Sequence, residues 1–171
     1  GDDNMKLHRQ LFAAGRLLQR KVAVSKAIEL TRSAVGKVDT ALDVPTPSAA
    51  VLAEELYEGR SLAIARGEVV IVPDIPRQTL SSILRGRIEE LIGWGMFQEK
   101  DPAQAVVRLK RALSVLPEKS VWWRSSWWRL GTALEADGKP KEALEAYIKG
   151  YNRDMPEISK RFVIESLYRE V

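Results

Sequence analysis

The chain has 171 residues, 45% hydrophobic and 29% charged, with a formal net charge of +4, a composition that fits one folded unit with a sizeable core. It has no cysteine, which excludes a disulfide framework and a thiolate metal site, and its uncharged runs fall short of the roughly twenty apolar residues that span a bilayer. One histidine, His8, leaves little for acid–base chemistry.

From Lys6 to Leu42 apolar positions recur at Leu7, Leu11, Ala14, Leu18, Val24, Ile28, Thr31, Val35, Val38 and Leu42, in steps of three and four. No proline interrupts the run, and Gly15 and Gly36 are its weak points. One long helix over residues 1–43 is expected, with a helix pair broken near Lys21 to Ser25 as the other solution. Its stripe is close to heptad spacing, so it packs on its own body or pairs with a second copy as a homo-oligomer. Much of the positive charge lies here, at Lys6, Arg9, Arg16, Arg20, Lys21, Lys26, Arg32 and Lys37. These are spread out with no aromatic platform, so a solvated face is expected and no nucleic-acid partner. A basic nucleic-acid or membrane-surface binder led by this helix is the alternative. The chain opens at Gly1 without an initiator Met, which leans toward an exported or periplasmic fragment that has lost its signal segment.

Val44-Pro-Thr-Pro-Ser breaks the helix, because two prolines remove donors and bias their predecessors to extended backbone. A helix over 47–67 is expected next, with Thr46 as N-cap, Pro47 in the first turn and Gly67 as its stop. It would bury Val51, Leu52, Leu56, Leu62 and Ile64 and keep Glu54, Glu55 and Glu58 wet. Residues 68–75 contain four successive β-branched residues, Val69 to Val72, which disfavour a helix. With no second strand-like run to pair with, they read as an extended strap across helices; an edge that pairs with another chain is the sharper reading.

After Pro76 a helix carries Leu80, Ile83, Leu84, Ile88, Leu91 and Ile92 straight into Gly93. Apolar residues surround most of its circumference, which places it at the centre of the core. Asp101-Pro-Ala-Gln opens its partner with a capping box, and that helix should span Pro102 to about Val115. Val121-Trp-Trp-Arg-Ser-Ser-Trp-Trp begins the following helix, adding a turn at Ser120 to Trp123 and placing Trp123 and Trp127 on one face at i and i+4. Core packing is the expected role of these indoles, against a cofactor box. Lys139-Pro-Lys-Glu opens the helix of Ala143, Ala146, Tyr147 and Ile148, which ends near Gly150 to Asn152. A last helix from Pro156 to about Arg169 presents Ile158, Phe162, Leu167 and Tyr168.

Two helix pairs thus recur, at about 86–119 and 124–157. Gly93 and Gly131 let paired helices approach, Ala105 and Ala143 are the small residues facing them, and Leu109 and Tyr147 fill the space beyond. With Trp127, Leu130, Gly131, Ala143 and Tyr147 in the second unit, this resembles the tetratricopeptide repeat. Leu134 stands where that family usually has Tyr. In the first unit Glu89 takes the Trp place, leaving the small residues, Met96 and Pro117. The resemblance implies an all-α stack of antiparallel helix hairpins, with the long N-terminal helix and an extra helix packed on it and the last helix as a cap. It also implies a concave surface lined by Arg87, Glu90, Trp94, Phe97, Trp128, Thr132, Glu135 and Phe162, with Ser166 beyond. That aromatic set suits a peptide or protein partner with an apolar or amphipathic segment. The N-terminal helix could instead fill this side and make Trp94 and Trp128 core residues.

No cofactor and no catalysis are expected. Gly93-Trp-Gly is the only G-x-G and sits inside a helix with no strand before it, so it cannot cradle a phosphate. The pairs Glu54-Glu55 and Glu89-Glu90 are adjacent in sequence, point apart on their helices and read as solvated. His8 has no nucleophile motif around it.

Overall fold

The computed structural model describes residues 2–56, 60–68, 74–151 and 157–170. The helices are α1 (Asp2–Arg20), α2 (Val24–Ala34), a 3-10 turn at Val35–Lys37, α3 (Val38–Ala41), α4 (Pro45–Leu56), α5 (Arg60–Ala65), α6 (Arg77–Gln98), α7 (Pro102–Val115), α8 (Val121–Ala136), α9 (Pro140–Gly150) and α10 (Glu157–Glu170). No strand occurs among the described residues. The fold class is all-α.

From α6 onward the boundaries follow the local chemistry. The Asp101 side chain accepts from the Gln104 backbone at 3.2 Å and Pro102 needs no donor, so α7 starts there. Ser120 accepts from the Trp123 backbone at 3.2 Å and starts α8. Leu80, Ile83, Leu84, Ile88, Leu91 and Ile92 of α6 are all buried. α6 and α7 form an antiparallel hairpin in which a β-carbon added at Gly93 would stand 2.9 Å from Leu109 Cγ and 3.3 Å from the Ala105 carbonyl oxygen. In the α8/α9 hairpin the same position is filled more tightly, with the Tyr147 ring 2.7 Å from a β-carbon at Gly131. Neither glycine can carry a side chain unless its neighbour moves.

The N-terminal segment differs from the favoured long helix. It breaks at residues 21–23, where Lys21 (φ 57°) and Ala23 (φ 48°) adopt the left-handed conformation, and α1 and α2 pack as a hairpin, with Gln10 Nε2 donating to Ser33 Oγ at 2.9 Å. Neither weak glycine is the hinge. The reason is tertiary: α2 folds back so that Ile28 can seat on Gly95 of α6, 2.6 Å from where a β-carbon would be. Gln98 Nε2 adds a bond to the Leu18 carbonyl at 2.8 Å.

The three hairpins share a pattern. Lys21, Lys100 and Gly138 close their first helices with left-handed φ of 57°, 65° and 76°. Each N–H bonds the carbonyl three residues back, and the next N–H bonds five back, a Schellman closure. The second helices bury Ala27, Thr31 and Ala34 in α2, Ala105, Leu109 and Ala112 in α7, and Ala143, Tyr147 and Gly150 in α9, with identical spacing. α2 packs on α6 as α7 packs on α8 and α9 on α10, while α6 touches both α1 and α8.

Residues 38–76 interrupt this stack. The helix expected over 47–67 begins earlier, at Pro45, and its described parts are α4 and α5, with 57–59 outside the described residues. Val51 and Ile64, expected inside, are 40% and 46% exposed; Leu52 is buried as expected, together with Ser48, Ala49 and Ala53. The side chains of Glu54, Glu58 and Leu62 and residues 69–73 of the expected strap lie outside the described set. Gly67, at φ 78°, ends α5 as expected. α4 touches α1, α6 and α8, so it crosses the side of the stack that the first helices line. Apolar packing falls into two clusters, one of α1–α4 with α6, Ala112, Leu116 and Trp122, the other of α7–α10, with Met96 against both. Tyr168, expected to pack, is 80% exposed, and among the described side chains of α10 Val163 and Ser166 are buried.

Candidate interaction face

The side chains of α6 and α8 meet through a buried polar bridge. Glu90 is only 3% exposed, accepts from the Ser125 hydroxyl and pairs with Arg129 Nη1 at 2.5 Å. Arg129 lies over the Trp94 ring, 3.7 Å from Cζ to centroid, a cation–π stack that holds both side chains. Glu89 pairs with Arg108 at 3.1 Å, half-buried. The expectation that Glu89 and Glu90 are solvated is therefore corrected. A carboxylate set in the apolar circumference of α6 has to be paired when α8 closes over it.

Beside the α4 crossing, Trp122 is buried at 3% exposure and its Nε1 donates to Glu55. Arg87 stands 5.8 Å over the Trp122 ring. His8 Nε2 meets Ser48 Oγ at 2.9 Å, and burial, then the Arg87 charge, lowers the His8 pKa below its ordinary value. Ser48 is fully buried and His8 Nδ1 has no partner. This pair lacks both the orienting acid and the access of a nucleophilic dyad.

The residues read as concave divide into three groups. Trp94, Phe97 and Trp128 are partly exposed, and Trp94 packs with the first cluster while Phe97 and Trp128 pack with the second. Glu90, Thr132 and Glu135 are occupied within the fold. Thr132 Oγ1 and Glu135 both bond the Tyr147 hydroxyl, and Glu135 also pairs with Arg169 of α10 at 2.9 Å. Burial and the Glu135 bond push the Tyr147 phenol up to about 12. Arg87 lies at the covered end, and the Phe162 side chain is outside the described residues. Ser166 is buried and accepts from Arg169 at 3.2 Å.

Trp127 is half-buried beneath Lys149 and meets Trp123 edge to face at 6.1 Å. The most buried indole of the cluster expected to pack in the core is Trp122, while Trp123 and Trp127, the two singled out at i and i+4, are only partly buried. Arg129 and Ser125 were missed; the signal available was Glu90, one carboxylate on an otherwise apolar helix.

Among the described residues, no helix is long and apolar enough to cross a membrane and no group of His, Cys, Asp or Glu could hold a metal ion. No family model matches the chain, and comparison with curated proteins and with solved structures gives no match.

Proposed function

We propose that the chain is a tetratricopeptide-like hairpin stack that binds a peptide or partner protein, without catalysis, on the open part of the face lined by α6 and α8. The observation that carries the reading is the Trp94–Arg129 stack, which joins α6 to α8, with Phe97 and Trp128 also partly exposed on these two helices. Indoles and an arginine already held by a buried carboxylate lose little conformational freedom on contact, which makes them effective anchors. The close approaches at Gly93 and Gly131, and the matching closure of α1/α2, support the family reading. α1/α2 then counts as a third hairpin, the number at which such stacks become independently stable.

The occupant best suited to this surface is an amphipathic segment that sets an apolar side chain between the tryptophans and an acidic group near Arg129. Peptides selected from a random display library against the whole chain test this. Trp94→Ala and Trp128→Ala should each weaken the selected peptides by tenfold or more, about 1.4 kcal/mol. Unchanged titration curves with both variants, at unchanged helicity, would end the groove reading.

A further inference from the structure

Charge is divided unevenly along the molecule. Residues 1–37 hold eight of the 27 Lys and Arg but only three of the 23 Asp and Glu, a net of +5 in a chain of +4, which leaves −1 on residues 38–171. Most of these cations are exposed in the structure. Arg9, Phe12, Arg16 and Arg20 follow at steps of three and four along the outer stripe of α1, all exposed. Lys21 and Val22 stand at the α1/α2 turn, and Lys26 and Arg32 are exposed on α2. Among the described residues no carboxylate pairs with Arg16, Arg20, Lys21 or Arg32, and the one acid of α2, Glu29, is paired with Lys26. Two apolar side chains stand out of this basic field: Phe12 is 70% exposed and Val22 50%.

We infer that the outer face of α1 and the α1/α2 turn form a docking surface for an anionic lipid bilayer, with the cations at the headgroups and Phe12 and Val22 between them. The inner stripe of α1, Leu7, Leu11, Ala14 and Leu18, is wholly buried, so the helix cannot turn over and insert. It lies on the surface, held by charge and two small apolar wedges. Nucleic acid fits less well. α1 is flanked by α2 and α4 and cannot enter a major groove about 12 Å wide. A single strand needs several stacking platforms, and Phe12 is the one aromatic on this stripe. This surface is made of α1 and α2 residues and uses none of those proposed for the groove, and the inference stands whether or not the groove binds a peptide.

Sedimentation of the whole chain with phosphatidylcholine vesicles containing about 30% phosphatidylserine, at low salt, tests it. Binding should appear with these vesicles, be absent with phosphatidylcholine alone and fall away near 0.5 M salt, where screening is within about 4 Å. The triple reversal Arg16→Glu, Arg20→Glu and Lys21→Glu should lower the partition coefficient at least a hundredfold, at roughly fivefold per basic residue lost and more for reversal. Phe12→Ala should lower it about fivefold. Reversal of Lys110, Arg111 and Lys119, exposed on and after α7, makes the same change in net charge and should cost much less. All these side chains are exposed, so helicity should persist. No binding to the anionic vesicles, equal loss from the α7 reversal, or tighter retention by an RNA oligonucleotide than by the vesicles would each overturn the inference.

Discussion

The α1/α2 and α8/α9 hairpins close with the same hydrogen bonds and bury their second helices at the same spacing, yet they reach this geometry with different residues. In α8/α9 a tyrosine ring fills the interface, so only glycine fits opposite, at Gly131, and Gly138 supplies the left-handed turn. In α1/α2 the residue at the matching place in the buried spacing of the second helix is Thr31. Ala14 stands at the position of Gly131, counted back from the turn, and Lys21 takes the left-handed residue without being glycine. α6/α7 lies between, with Leu109, Gly93 and Lys100. A small filler allows an alanine where a ring demands a glycine, and a hairpin built on small residues loses the signature that makes it visible in sequence.

The comparison is broken first at the bridge between hairpins. Arg129→Ala leaves the buried Glu90 carboxylate with only Ser125 as a partner, and chemical denaturation should show a loss of about 3 kcal/mol. Leu at Glu90 in the same background should recover part of it, since an apolar pair needs no counter-charge.

Next comes Gly131→Ala. The added carbon meets a rigid, fully buried ring, so about 2 kcal/mol should be lost after the helix gain of roughly 1 kcal/mol from alanine is counted. Gly15→Ala, inside α1 with its nearest neighbour 3.9 Å away, should instead stabilise by about 0.5–1 kcal/mol. Equal signs for the two changes would show that the hairpins do not differ as described.

Lys21→Gly and Lys100→Gly should each raise the melting temperature, because a side chain at positive φ costs about 1 kcal/mol that glycine avoids. No gain at either would mean that local contacts of the lysines offset that cost. The smallest effect concerns His8. Its pKa is lowered in the fold, so the native state binds fewer protons than the unfolded chain. Stability is then complete above the ordinary value of 6.5 and declines as pH falls through it. Relative to His8→Gln, the wild-type chain should lose at most about 1.4 kcal/mol per pH unit below that point. A flat difference between the two would remove the linkage.

Much of the second half was legible because its signals are local. Asp101-Pro-Ala-Gln, Ser120 and the apolar circumference of α6 act within a turn or two, and the α7 span follows from its cap and proline alone. The break at 21–23 agrees with the second of the two readings, a helix pair broken near Lys21 to Ser25, and composition could not choose it over one long helix, since neither Lys21 nor Ala23 marks a turn. The candidate face was legible in its aromatics, Trp94, Phe97 and Trp128. It was not legible in Glu90, Thr132 and Glu135, which look free along one helix and find partners only when α8, α9 and α10 pack.

By itself the sequence determined that the chain is helical, where α6 to α9 begin, and that Gly93 and Gly131 mark close approaches, because periodicity, caps and small residues operate over short distances. Only the tertiary structure decided that α2 turns back on α1, that α4 crosses the first helices and that Arg129 is committed to Glu90. Those outcomes depend on which distant surfaces can be buried together, and no local pattern records that.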